Sequence, residues 1–159
     1  MTTDQTGPET NLSNSAPFVE LAQSLACRTG SISTVVDQLM RFIKRFMGTF
    51  GADKGTDDDI EIAIREVLSN AVIHGNHEDP GKQVSVTCRC SVDGEVLITV
   101  RDEGLCFDNR AAPYPKEFQK QLLSHERGLH LVKTLMNEVP FEENGTVVRM
   151  RKRMKTRFR

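Results

Sequence analysis

The chain has 159 residues, enough for one domain with a real core and too few for two. Apolar residues make up 38% and charged residues 27%, a globular balance, and no apolar run approaches the ~18–20 residues of a membrane span. A net charge of −1 hides an asymmetry: residues 1–80 hold 6 Lys/Arg against 12 Asp/Glu, and residues 81–159 hold 15 against 10.

Residues 1–16 are rich in Thr, Ser, Asn and Pro and are expected to form a flexible N-terminal segment. They carry no basic, apolar leader, so a cytoplasmic location is expected. Phe18 to Ala26 alternates loosely as a first strand. A helix follows, opened by Ser31 or Ser33. Its apolar residues Ile32, Val35, Val36, Leu39, Phe42, Ile43, Phe46 and Met47 recur at threes and fours. Gly48 and Gly51 loosen it, and 51–55 reads as a connection. Thr56-x-x-Asp59 resembles a capping box for a second helix through Ile60, Ala63, Ile64, Val67, Leu68 and Ala71, which Gly75 would end.

Asp79-Pro80-Gly81 marks a turn, and Val84–Cys90 and Glu95–Arg101 flank Asp93-Gly94 as a hairpin. Residues 109–126, with two prolines and little periodicity, suggest a binding loop or lid. A helix around Leu129, Val132, Leu135 and Met136 stops before Pro140. The final strand runs from Thr146, with basic odd positions and apolar even ones, so that one face is packed and the other wet. Seven bases between Arg149 and Arg159 would attract an acidic partner or form a solvated face. Cys27, Cys88, Cys90 and Cys106 are expected to be reduced thiols. Cys88 and Cys90, with one residue between them, are expected on opposite strand faces, which suits neither a mutual disulfide nor a zinc knuckle. The whole reads as α+β, a two-layer α/β sandwich with helices on one face of a mixed, mostly antiparallel sheet. Residues 17–153 form the domain and 154–159 a basic tail.

Three clusters could carry chemistry. Glu66, Asn70 and His74 step by four along the second helix and share a face. A carboxylate there suits a general base, and a neutral amide oxygen suits magnesium. An exposed polar helix face is the plainer alternative. Asp102-x-Gly104 follows a strand, where a carboxylate accepts from an exocyclic amine such as that of adenine and repels the oxygen of guanine. An ordinary turn has the same sequence. Arg127-Gly128-Leu129 opens a helix, where free N–H groups, the dipole and Arg127 suit phosphate. A surface loop-to-helix junction reads the same way.

In order, these clusters resemble the motifs of one superfamily. Glu66-x-x-x-Asn70-Ala71-x-x-His74-Gly75 is similar to the N box of the Bergerat-fold, histidine-kinase-like ATPases. Asp102-x-Gly104 with Phe107 is similar to their first glycine box, Arg127-Gly128-Leu129 to the second, and Gly145-Thr146 to a further element. Length and the first helix look most like the bacterial anti-sigma factor serine/threonine-protein kinases. The resemblance covers residues 18–153.

It implies an ATP-binding serine kinase with Glu66 as catalytic base and Asn70 on Mg2+. Asp102 would hold the adenine amine beside Gly104, Phe107 and Thr146. Residues 109–126 would form the ATP lid, and Arg127, Gly128 and Leu129 its hinge and phosphate contact. It also implies partner switching in transcription regulation, with an anti-anti-sigma (STAS) protein and a sigma factor as partners, and a homodimer through the first helix. No membrane partner and no direct nucleic-acid binding are expected. Two positions depart from the family pattern: Cys106 and Glu126 stand where glycines are usual. They keep open a catalytically weak or inactive binding module, and a histidine-kinase-type ATPase domain is a further alternative.

Overall fold

A computed structural model describes residues 17–27, 29–50, 55–77, 79–104 and 127–154. Strand β1 (Phe18–Ala26) leads into helix α1 (Thr29–Phe50) and helix α2 (Thr56–Asn70). Strands β2 (Gln83–Ser91) and β3 (Glu95–Arg101) follow, then helix α3 (127–135), the short strand β4 (Phe141–Glu142) and strand β5 (Val147–Arg153). The five strands form one sheet in the order β1-β2-β3-β5-β4. Every pairing is antiparallel, so the expected mixed sheet is antiparallel throughout the described residues.

Period-two alternation builds the packed face of the sheet. Val84, Val86, Cys88 and Cys90 of β2 are buried, as are Val96, Ile98 and Val100 of β3. Cys88 and Cys90 therefore lie on the same face, not on opposite ones, because residues two apart in a strand point the same way. A hydrogen bond with the neighbouring Cys90, and then burial, push the Cys88 thiol far up. Against this face pack Val36, Leu39 and Ile43 of α1 and Ile60, Ile64 and Leu68 of α2, all without solvent exposure. Each such side chain contributes roughly 1.5–3 kcal/mol of transfer free energy.

Several local details depart from expectation. Helix α1 starts at Thr29, two residues ahead of Ser31, and continues through Gly48 to Phe50. At the start of α2 no side chain caps the backbone; Gly55 occupies the cap position with φ 94°, and Thr56 is already helical. Only glycine adopts that left-handed conformation without strain. Asp57, Asp58 and Asp59 do sit in the first turn, where the helix dipole favours them.

Helix α2 does not run straight to Gly75 either. After Asn70 it widens into one π-turn, Ala71–Gly75, closed by the bond from the Asn76 N–H to the Ala71 carbonyl at 2.9 Å. The hairpin stands as expected, with Gly94 at φ 92° and its N–H donating to the Ser91 carbonyl at 3.0 Å. In β5 the simple alternation fails, because Val147, an odd position, is fully buried. Its arginines are paired rather than free: Arg149 with Glu142, Arg151 with Glu95 and Glu138, and Arg153 with Glu95. The proposed lid, residues 109–126, and most of both terminal segments lie outside the described residues, as do Cys106, Phe107 and Glu126.

Candidate nucleotide site

Where α2, β3, α3 and the turn before β5 meet, they enclose a cavity of about 340 Å³. This is at the lower end of the usual range for small-molecule sites. Val67, Ala71, Val100 and Val148 give it apolar walls, and Asn70, Asp102 and Thr146 bring polar groups to it.

Asp102 lies at the end of β3. Its backbone N–H donates to the Thr146 carbonyl at 2.9 Å, which joins the β3 end to the turn before β5. Its Oδ1 accepts from the Gly104 N–H at 2.9 Å, an Asx turn that closes the loop on itself. Burial, as the leading cause, pushes the Asp102 carboxyl above the usual carboxylate range. The Gly104 N–H and the charges of Lys82 and His77 partly oppose that rise.

Two glycines make room for this carboxylate. A side chain on Gly75 would begin 2.4 Å from Asp102 Oδ2, and one on Gly104 would begin 1.9 Å from the Gly75 carbonyl oxygen. Real Cβ atoms do not come so close, and the second obstacle is backbone that no rotamer change can clear. The π-turn carrying Gly75 and the loop carrying Gly104 therefore interlock around Asp102.

Thr146 is held from its other side. Its hydroxyl donates to the Glu143 carbonyl at 2.9 Å, and Glu143 is itself paired with Arg101 of β3. Gly145, at φ 89°, supplies the turn that brings Thr146 to the cavity.

Asn70 faces the cavity with Nδ2 buried and without a hydrogen-bond partner among the described residues. An amide buried with unused capacity is costly unless a ligand completes it. The neutral amide of Asn70 thus fits the role expected of a magnesium or phosphate contact: its oxygen suits the cation, and its N–H group an anion. Glu66, one turn earlier, does not line the cavity itself. Its carboxylate lies instead against α3, where a side chain on Gly128 would begin 2.5 Å from Oε2 and 3.9 Å from Asn70 Nδ2. Leu129 reaches the cavity wall, whereas Arg127 is exposed and outside the lining.

Of the expected site residues, Asn70, Asp102, Leu129 and Thr146 share the cavity, and Glu66, Gly104 and Gly128 stand immediately around it. Phe107 lies outside the described residues. Sequence reasoning missed Lys133 and Phe141, which face each other at the cavity with the Lys133 ammonium 5.7 Å from the Phe141 ring centre. Lys133 is four residues after Leu129 on α3 and so was accessible to the helical period; Phe141, on a two-residue strand, gave no periodic signal.

The family model described as a histidine kinase-like ATPase domain matches residues 33–152. An anti-sigma F factor of Clostridium perfringens is 36% identical over 103 residues, which cover 62% of this chain and 73% of that protein. An anti-sigma F factor of Heyndrickxia coagulans is 33% identical over 99 residues, covering 59% of this chain and 67% of the relative. The serine-protein kinase RsbW of Bacillus subtilis is 35% identical over 102 residues, 60% of this chain and 63% of the kinase, so the match spans under two thirds of that protein. Among solved structures, the RsbU and RsbW domains of Rv1364c from Mycobacterium tuberculosis superpose with a TM-score of 0.56 at 24% identity. That match covers 89% of this chain and 34% of the other, and it shows the common fold. The chain therefore belongs to the histidine kinase-like ATPase family, among the anti-sigma factor serine kinases.

Proposed function

We propose that the protein binds ATP in this cavity and transfers the γ-phosphoryl group to a serine of an anti-anti-sigma partner, acting as an anti-sigma factor by partner switching. One observation carries the proposal. The Asn70 amide of α2 and the Asp102 carboxylate at the end of β3 line one cavity, and the Glu66 carboxylate lies beside it against Gly128 of α3, which supports an ATP-dependent kinase.

Asp102 accepts the adenine amine, and Thr146 beside it contributes to the same end of the cavity. Asn70 would hold Mg2+, and the cation would supply neutralisation of the charge that develops on the transferring group. Gly128, without a side chain, leaves room for phosphate beside Glu66 and Asn70, and Arg127 next to it supplies positive charge. Glu66 takes the proton from the serine hydroxyl as the Oγ–P bond forms and the bond to the ADP oxygen breaks. Catalysis here is positioning plus charge stabilisation.

The close approach of Gly128 to the Glu66 carboxylate supports Glu66 as the base, beside the phosphate end of this reading, where a nucleophile must arrive. The sigma factor as second partner and a homodimer through α1 belong to the same proposal. Phe42 and Phe46 of α1 are only partly buried, which supports a further contact on that helix. Purified protein, incubated with labelled ATP and a STAS-domain partner, tests the kinase assignment. Phosphoserine on the partner is expected, and its absence in the presence of bound ATP would reduce the protein to a binding module.

A further inference from the structure

Asn76, immediately after the π-turn, is the buried polar side chain of the described residues, with no solvent exposure. Both N–H groups of its amide and one lone pair of its oxygen are used. Nδ2 donates to the Gln83 carbonyl at 3.0 Å and to Cys27 Sγ at 3.0 Å. Oδ1 accepts from the Glu103 backbone N–H at 2.8 Å. The orientation of the amide follows from its partners, since a carbonyl needs a donor and an N–H needs an acceptor.

The Glu103 N–H belongs to the peptide that joins Glu103 to Asp102. Holding it fixes the plane of the peptide directly after the carboxylate, and the next N–H, of Gly104, is bound to Asp102 Oδ1. Gly75, the neighbour of Asn76, leaves the space that the same carboxylate fills. Two adjacent residues thus act on one group: Gly75 shapes its pocket, and Asn76 anchors its backbone to the ends of β1 and β2.

We propose that Asn76 is a positioning residue that holds Asp102 in the orientation for base recognition and thereby sets the preference for adenine over guanine. This deepens the ATP-binding reading and rests on it. A carboxylate free to rotate still carries its charge. It loses the fixed geometry that welcomes an amine and repels an oxygen.

ATP and GTP affinities, each with magnesium, are to be measured by calorimetry for the full chain and for Asn76→Ala, Asn76→Asp and Ile43→Ala. Ile43 is fully buried on α1 and does not line the cavity, so its variant controls for loss of stability alone. Asn76→Ala is expected to lower the ATP-to-GTP affinity ratio about tenfold or more. Ile43→Ala should leave the ratio as in wild type. Asn76→Asp keeps an acceptor for the Glu103 N–H and should retain most of the preference.

An unchanged ratio in folded Asn76→Ala overturns the inference. Loss of the ratio in Asn76→Asp as complete as in Asn76→Ala also overturns it, because the effect would then lie with Gln83 and Cys27. Should Asn76→Ala fail to fold, Asn76→Asp and amide exchange at Glu103 in wild type decide. Slowed exchange is expected, and exchange as fast as in an open loop contradicts the anchoring. A wild type without preference for ATP defeats the nucleotide reading instead, so the two failures are distinguishable.

Discussion

Gly128 lies directly against Glu66: a side chain on the glycine would begin 2.5 Å from the carboxylate Oε2. Helix α3 therefore approaches α2 at the residue proposed as the base, and the absence of a side chain permits it. Gly128→Ala must displace either the carboxylate or the helix. Phosphotransfer is expected to fall by about 10²-fold or more, since small misplacement of a catalytic group costs that much. ATP affinity, measured alongside, should change less than turnover.

Gly75→Ala would put a methyl group 2.4 Å from Asp102 Oδ2. Overpacking at a packed site costs about 1–3 kcal/mol. Chemical denaturation should show a loss of that size, and titration should show ATP binding weakened together with it. Gly104→Ala meets backbone at Gly75 rather than a side chain and should be the more damaging of the two.

Asp102 carries a pH dependence of definite sign. Burial raises its native-state pKa, so the native protein holds the proton more tightly than the unfolded chain does. Stability contributed by this group therefore falls as pH rises from the unfolded carboxylate value, about 3.9, through the raised native value. Asp102→Asn removes that dependence and should stabilise the nucleotide-free protein at neutral pH. The same variant should weaken ATP binding roughly ten- to hundredfold by losing a charged acceptor. In wild type, ATP affinity should fall as acid protonates the carboxyl.

Glu66→Gln keeps the shape of the base and removes its basicity. Phosphotransfer to a serine partner is expected to drop by about 10²–10⁴-fold while ATP affinity stays near that of wild type. Equal losses in binding and turnover would instead assign Glu66 to nucleotide binding.

Much of this was legible in the sequence because strong periodicity survives folding. The threes and fours of α1 and α2 and the twos of β2 and β3 are the core-facing residues of the structure. The site motifs were legible for a different reason: they are short and lie at element ends, where backbone geometry leaves few residue choices. What escaped depended on tertiary contact. Gly55 took the cap that Thr56 and Asp59 had suggested, in a left-handed conformation that favours glycine over either of them. The basic face of β5 turned out to be neutralised by Glu95, Glu138 and Glu142, acids remote in the chain or beyond a turn. Asn76 gave no periodic signal at all, since its three partners come from separate segments.

The central claim is that the cavity between Asn70, Asp102 and Thr146 holds ATP with magnesium. Calorimetric titration of the purified protein with ATP and Mg2+, beside Asn70→Ala and Asp102→Ala, tests it most directly. Micromolar affinity (on the order of −8 kcal/mol) in wild type, lost in both variants, is the expected result. No binding of ATP at millimolar concentration would contradict it.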